Sequence, residues 1–168
     1  MVENGLEAGA DLIRISIVED RETNRMEITI SDNGRGIPEE KLQEILDPFY
    51  TTRTTRRVGL GLGLFREASR RCEGDFQVRS AVGEGTEISA TFQLDHIDLP
   101  PLGDMAGTMT VLIAGNVNTD FVYIHTVNGN RFELDTRAIK GELEGVPIHH
   151  PEVTRYITQT IREFLSKR

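Results

Sequence analysis

Glycine spacing constrains this chain more than any other feature. The sequence runs Asp32-Asn33-Gly34-Arg35-Gly36-Ile37-Pro38, then Asp47-Pro48-Phe49-Tyr50-Thr51-Thr52-Arg53, then Gly59-Leu60-Gly61-Leu62-Gly63-Leu64. Gly34 and Gly36 let the backbone come within contact of a flat ligand, because no Cβ intervenes and positive φ carries no penalty. Asp32 sets an acceptor beside them. Gly59, Gly61 and Gly63 open a helical pattern, so unpaired N–H groups and the positive end of a helix dipole would meet an anion there. The three segments read as one nucleotide site with a phosphate chain as its guest.

The 168 residues, 38% of them apolar, can bury one good core. A net charge of -8 argues against general binding to nucleic acid or anionic membranes. Arg53, Arg56, Arg57, Arg66, Arg70 and Arg71 nevertheless cluster around the glycine run, which suits a small polyanion better than a duplex. Cys72 is the one cysteine, so neither a disulfide framework nor a thiolate metal cage is expected. No apolar run approaches the roughly 20 residues of a membrane span. The start also lacks the regions of a signal peptide, and a cytoplasmic protein is expected.

Val2, Leu6 and Ala10 recur at helical spacing and Gly9 is placed to end the helix. Residues 1–8 thus read as the last two turns of a longer helix. Ile13, Ile15 and Ile17 alternate with polar positions, as do Met26, Ile28 and Ile30, which predicts an antiparallel pair with one buried face that helices should cover. The second strand delivers Asp32 at its end. Pro38 opens a short helix carrying Leu42, Ile45 and Leu46. Residues 50–58, Thr and Arg without periodicity, are a candidate lid. After the glycines, Leu64, Phe65, Ala68 and Cys72 form a helical stripe that Gly74 should end. Phe76 and Val78 begin a strand, and Gly83-Glu84-Gly85-Thr86 turns it into another bearing Ile88, Ala90, Phe92 and Leu94.

Residues 95–107, with Pro100-Pro101, mark a boundary between a first unit, 1–94, and an extension, 108–168. In the extension Met109, Val111 and Ile113 predict a strand. Asn128-Gly129 predicts a tight hairpin between residues 121–127 and 131–134. Asp135 or Thr136 can cap a short helix with Ile139 and Leu143. Pro151 begins an amphipathic helix with Val153, Tyr156, Ile157, Ile161, Phe164 and Leu165 on one face. His149-His150 lacks a third ligand in sequence, so a surface or structural pair is the simpler reading. Cys72 on its apolar stripe is most simply core.

Asn4 within Glu3-Asn4-Gly5-Leu6-Glu7-Ala8-Gly9-Ala10, the turn at 32–38, residues 47–53, the run at 59–64 and Gly83-Glu84-Gly85-Thr86 stand in a familiar order and spacing. Together they resemble the ATP-binding domain shared by gyrase, heat-shock chaperones, sensor histidine kinases and MutL, the GHKL group. The first segment looks most like MutL. The proline-phenylalanine box and the glycine run look like the sensor histidine kinases, although Arg53 stands where those kinases often carry lysine.

The resemblance implies a two-layer α+β sandwich of the Bergerat type, with a mixed, mainly antiparallel sheet and helices on one face, to which residues 108–168 add a β-hairpin and helix. It implies that Asp32 accepts from the adenine amino group, that Gly36 and Thr86 complete the adenine pocket, and that Asn4 holds Mg²⁺ against the triphosphate. Gly59, Gly61 and Gly63 would cradle the phosphates, with Gly34, Ile37, Phe49, Thr52, Arg53, Leu60 and Leu62 lining the rest. ATP and Mg²⁺ are the expected cofactors.

The hydrolysing members carry a glutamate general base four residues before the Asn, a position that here falls before Met1. Glu3 is about 100° away around the helix and substitutes poorly. All four histidines, His96, His125, His149 and His150, lie after the ATP domain, so self-phosphorylation on histidine is not expected. No catalytic residue is assigned. The expected function is Mg-ATP binding with phosphoryl transfer to a separate protein in signalling. The alternatives are a non-catalytic ATP sensor or a slow MutL-like hydrolase. A phosphoacceptor or regulated protein is the expected partner, and a homodimer is an open alternative.

Overall fold

A computed structural model describes residues 1–45 and 61–167, with residues 43–45 as backbone only. Its elements are α1 (Val2–Glu7), β1 (Leu12–Asp20), β2 (Arg25–Asp32), α2 (Glu39–Ile45), α3 (Gly61–Arg71), β3 (Phe76–Ala81), β4 (Gly85–Gln93), α4 (Met105–Gly115), β5 (Asp120–Val127), β6 (Asn130–Asp135), α5 (Thr136–Glu142) and α6 (Pro151–Leu165). The strands form one six-stranded sheet in the order β3-β4-β2-β1-β5-β6. Neighbours are antiparallel except β1 and β5, which run parallel.

Period-two alternation decides the two faces. Ile13, Ile15 and Ile17 of β1 and Phe121 and Tyr123 of β5 are buried on one face, and Cys72 just after α3, with Met109 and Ile113 of α4 and Ile157 and Ile161 of α6, closes over it as one core. Each such aliphatic side chain contributes about 1.5 to 3 kcal/mol by leaving water. Around Cys72 this burial pushes the thiol up from its ordinary value. The opposite face is polar, and Arg25, Glu27, Gln77, Arg79, Glu87 and Ser89 line an open groove there. The result is the mixed α+β sheet, with a helical layer on one face, that the resemblance implies. Among the described residues no helix is long and apolar enough to cross a membrane.

One polar chain interrupts the core. Glu19 follows the isoleucines in the inward phase of β1, and its Oε1 lies 2.7 Å from His125 Nε2. His125 Nδ1 is in turn 2.7 Å from the Tyr123 hydroxyl. Phe132 and Phe164 stack beside the imidazole. Burial of these groups is tolerable because each meets a hydrogen-bond partner.

Four local expectations need correction. The predicted strand at Met109, Val111 and Ile113 is instead part of helix α4. The Asp104 carboxylate caps it by accepting from Gly107 N–H at 2.9 Å, and a helix brings Ala106, Met109 and Ile113 onto one buried stripe against α6. Tertiary packing thus overrides the β-propensity of Thr-Val-Leu-Ile. Gly74 does not supply the left-handed residue that ends α3; Glu73 does, at φ 55. Gly74 is required by a close approach instead, since a Cβ there would lie 1.6 Å from the Thr91 carbonyl oxygen. Tyr156 is 66% exposed and points away from the buried face of α6. Arg70 and Arg71 occupy the last turn of α3, at the end opposite its glycines, where Arg71 pairs with Glu67 on the surface.

Candidate nucleotide site

The end of β2 that carries Asp32 is packed directly under α1. Gly5 is buried there, and a Cβ on it would stand 2.9 Å from Asp32 Cβ, so only glycine lets the helix rest this close. Asn4 precedes it on α1 and is exposed, as is Glu3. Gly9 turns the chain out of the helix at φ +77. The Asp32 Oδ1 accepts from Gly34 N–H at 2.9 Å, which fixes the carboxylate at the mouth of the turn.

Side-chain and backbone bonds hold that turn on both sides. Asn33 Oδ1 accepts from Asp11 and Leu12 N–H at 3.1 and 3.0 Å. Arg35 N–H donates to the Ala8 carbonyl at 3.0 Å, and Gly83 N–H donates to the Arg35 carbonyl at 2.9 Å. Gly36, at φ +68, passes so near the β3–β4 hairpin that a Cβ would come 1.9 Å from the Ala81 carbonyl oxygen. The turn is therefore a rigid bridge from α1 to the hairpin.

Strand register then assembles a row of polar groups. Asp32 pairs with Thr86, and Thr86 pairs with Ser80 across β4 and β3. All three occupy the inward phase that the apolar Ile30, Ile88 and Val78 follow deeper in the sheet. Ile37 N–H donates to Ser80 Oγ at 2.8 Å, and that oxygen lies 2.7 Å from the Gly85 carbonyl and 2.9 Å from Thr86 Oγ1. An open cleft of about 440 Å³ lies at this end of the sheet, lined by Asp32, Ser80, Gly85 and Thr86 and also by Ser31, Arg79 and Glu87 of the outward phase.

Helix α3 begins at Gly61, which is exposed, with Leu62 and Gly63 buried behind it and Leu64 facing outward. Among the described residues the N–H groups of its first turn have no intrahelical acceptor. On the same helix Arg66 buries its Nε without a hydrogen-bond partner among the described residues, which adds positive potential near that terminus.

A family model described as the histidine kinase-, DNA gyrase B- and HSP90-like ATPase matches residues 1–96, more than half of the chain. The chain belongs to this ATPase family. Among individual relatives of this histidine kinase-like ATPase, a sensor protein kinase WalK of Staphylococcus haemolyticus is 40% identical over 80 residues, covering 45% of this chain and 13% of the relative. Sporulation kinase C of Bacillus subtilis is 29% identical over 94 residues, covering 56% of this chain and 22% of that protein. The chain therefore spans only a small part of the curated relatives it matches. Its fold is similar to the Aquifex aeolicus MutL ATPase domain complexed with ADP, with a TM-score of 0.51 at 16% identity over 80% of this chain and 59% of that one.

Asn4, Asp32, Gly34, Gly36, Ile37 and Thr86 converge at one end of the sheet, and Gly61, Leu62 and Gly63 form the start of α3. Phe49, Thr52, Arg53, Gly59 and Leu60, with the candidate lid and Arg56 and Arg57, lie outside the described residues. Sequence reasoning missed Ser80, Asn33 and Gly5. The signal for Ser80 was present: once Gly83-Glu84-Gly85 is a hairpin, register sets a residue six before Thr86 directly across from it. His150 proves to be the N-cap of α6, its Nδ1 accepting from Glu152 N–H at 3.4 Å.

Proposed function

We propose that the chain binds Mg-ATP at the sheet end where α1 rests on β2, with the start of α3 serving its phosphates, and that it passes the γ-phosphoryl group to a separate protein. The observation that carries the binding reading is the adjacency of Asp32 and Thr86 in register at the sheet end, beside a backbone bridge whose Gly34 and Gly36 pack closely against Ala8 and the β3–β4 hairpin and so hold that end in place. Asp32 accepts from the adenine amino group. Gly36, Ile37 and Thr86 complete the pocket. The first turn of α3, with Gly61 and Gly63, offers N–H donors to the phosphates.

The donor set also fits a divalent ion. Mg²⁺ takes one or two protein oxygens and fills its remaining positions with phosphate oxygens and water, and the exposed Asn4 amide provides one such oxygen. When bound, the ion neutralises phosphate charge. The phosphoryl-transfer part of the reading is supported by the kinases among the relatives. A second reading, ATP sensing without chemistry, is favoured by the pairing of β5 along β1, which ties residues beyond the family match into the nucleotide-bearing sheet.

Calorimetry tests the binding. Wild type is expected to take up Mg-ATP, and Asp32→Asn, which keeps an acceptor for Gly34 N–H, to bind at least about tenfold more weakly, as loss of a charged hydrogen bond of about 1.5 to 3 kcal/mol requires. Absence of heat from folded wild type at millimolar Mg-ATP refutes the proposal. Transfer of labelled γ-phosphate onto a second protein, abolished by Asn4→Ala, separates kinase from sensor.

A further inference from the structure

The hydroxyl of Ser80 meets three groups, and counting protons among them fixes the direction of every bond. Ile37 N–H can only donate, at 2.8 Å, and the Gly85 carbonyl can only accept, at 2.7 Å. Ser80 has one proton, so that proton goes to Gly85. Its remaining contact, 2.9 Å to Thr86 Oγ1, then requires Thr86 to be the donor. The opposite assignment would leave two oxygen atoms 2.7 Å apart with no proton between them. Ser80 is thereby saturated, with two bonds accepted and one donated.

The consequence falls on Thr86. Its only hydroxyl proton is spent on Ser80, and what it has left to offer the cleft is lone pairs. Asp32, its cross-strand neighbour, is acceptor-only when ionised. We infer that Ser80 is a positioning residue that locks the Thr86 hydroxyl as an acceptor, so that this end of the sheet selects a purine whose 6-substituent donates, an amino group, over one whose 6-substituent accepts, an oxo group. The inference rests on the nucleotide reading above and assigns the selectivity to a side chain that need not touch the ligand.

The experiment compares, by calorimetry on the full chain, the Mg complexes of three nucleotides: ATP, inosine triphosphate with its 6-oxo group, and purine riboside triphosphate with no 6-substituent. In Ser80→Ala the Thr86 proton is released and can turn toward an oxo group. The ATP-to-inosine-triphosphate affinity ratio is expected to fall about tenfold, the size of one misassigned hydrogen bond, while purine riboside triphosphate binds as before. Ser80→Thr, which keeps the hydroxyl, is expected to restore the ratio. In a Thr86→Val background Ser80→Ala is expected to change nothing further. Thermal melts of the unliganded variants establish that each is folded.

Equal weakening of all three nucleotides by Ser80→Ala, or the same change of ratio when Thr86 is already Val, overturns the inference and leaves Ser80 as a tie between Ile37 and Gly85. Wild type that binds none of the three overturns the nucleotide reading itself. The two failures are distinct.

Discussion

Replacing Gly85 by alanine should be among the most damaging single changes at the sheet end, and the structure supplies its own control. Gly85 has φ +99, and a Cβ on it would lie 1.9 Å from the Asp32 carbonyl oxygen and 2.8 Å from Asn33 Cα. Both obstacles are backbone. Ordinary contact begins at 3.4 Å, so β4 must withdraw from β2 by about 1.5 Å at this point. Two terms add: about 1 to 2 kcal/mol for forcing an L-residue into positive φ, and about 1 kcal/mol for each of roughly two ladder hydrogen bonds opened beside Asp32 and Thr86. The sum is about 3 to 4 kcal/mol. Gly83, two residues earlier, has φ +83 with nothing within 4 Å of a Cβ, so Gly83→Ala carries the dihedral term alone. In denaturant titrations Gly85→Ala should therefore be destabilised by about 2 kcal/mol more than Gly83→Ala, a gap of several degrees in Tm for a chain of this size. Because the withdrawal carries Thr86 away from Asp32, ATP affinity should fall in Gly85→Ala and hold in Gly83→Ala. Equal stability and equal affinity for the two variants would refute the packing argument.

Ile157→Ala, at a fully buried position of α6, should lower stability by about 2 to 5 kcal/mol in the same titrations, since its cavity lies where α6 meets α4 and the sheet. The Asp135 carboxyl is held below its ordinary value, first by the Arg137 side chain, and it also caps α5. A group with a lowered folded value stabilises the protein above the ordinary value of 3.8 and loses that contribution as pH falls through the folded value. Asp135→Asn should therefore be less stable than wild type at neutral pH, by about 0.5 to 1 kcal/mol for so exposed a pair. The difference should vanish in acid unfolding curves below the folded value.

What could be read from the sequence was what local chemistry dictates. Alternation in β1 and β2 named the inward residues, and Asn128-Gly129 named the hairpin that forms with both residues at positive φ. Gly34 and Gly36 were read as making way for a ligand, whereas they make way for Ala8 and for the β3–β4 hairpin. Helix α4 was misread because its residues are apolar around the whole circumference, which removes the period that separates helix from strand. The parallel pairing of β1 with β5 was not legible, since no local signal encodes a partner so distant in sequence. Glu19 and His125 were legible in part: each continues the inward phase of its strand, which flags a buried polar group, but not that they face each other. At the candidate site the residue types pointed to a nucleotide, whereas the proton arrangement around Ser80 required distances.

The β1–β5 seam also imposes an order on biosynthesis. Glu19 and His125 are 106 positions apart, so β1 leaves the ribosome long before the strand that covers its far edge exists. The four strands β1 to β4, which carry Asp32, Ser80 and Thr86, are complete by residue 93 and pair with one another in the order β3-β4-β2-β1, leaving the outer edge of β1 for β5. Until β5 is translated, the open amides and carbonyls of β1 are a docking edge for any extended peptide, a nascent neighbour included. Speed of translation through residues 94–127 therefore sets how long that edge stays available.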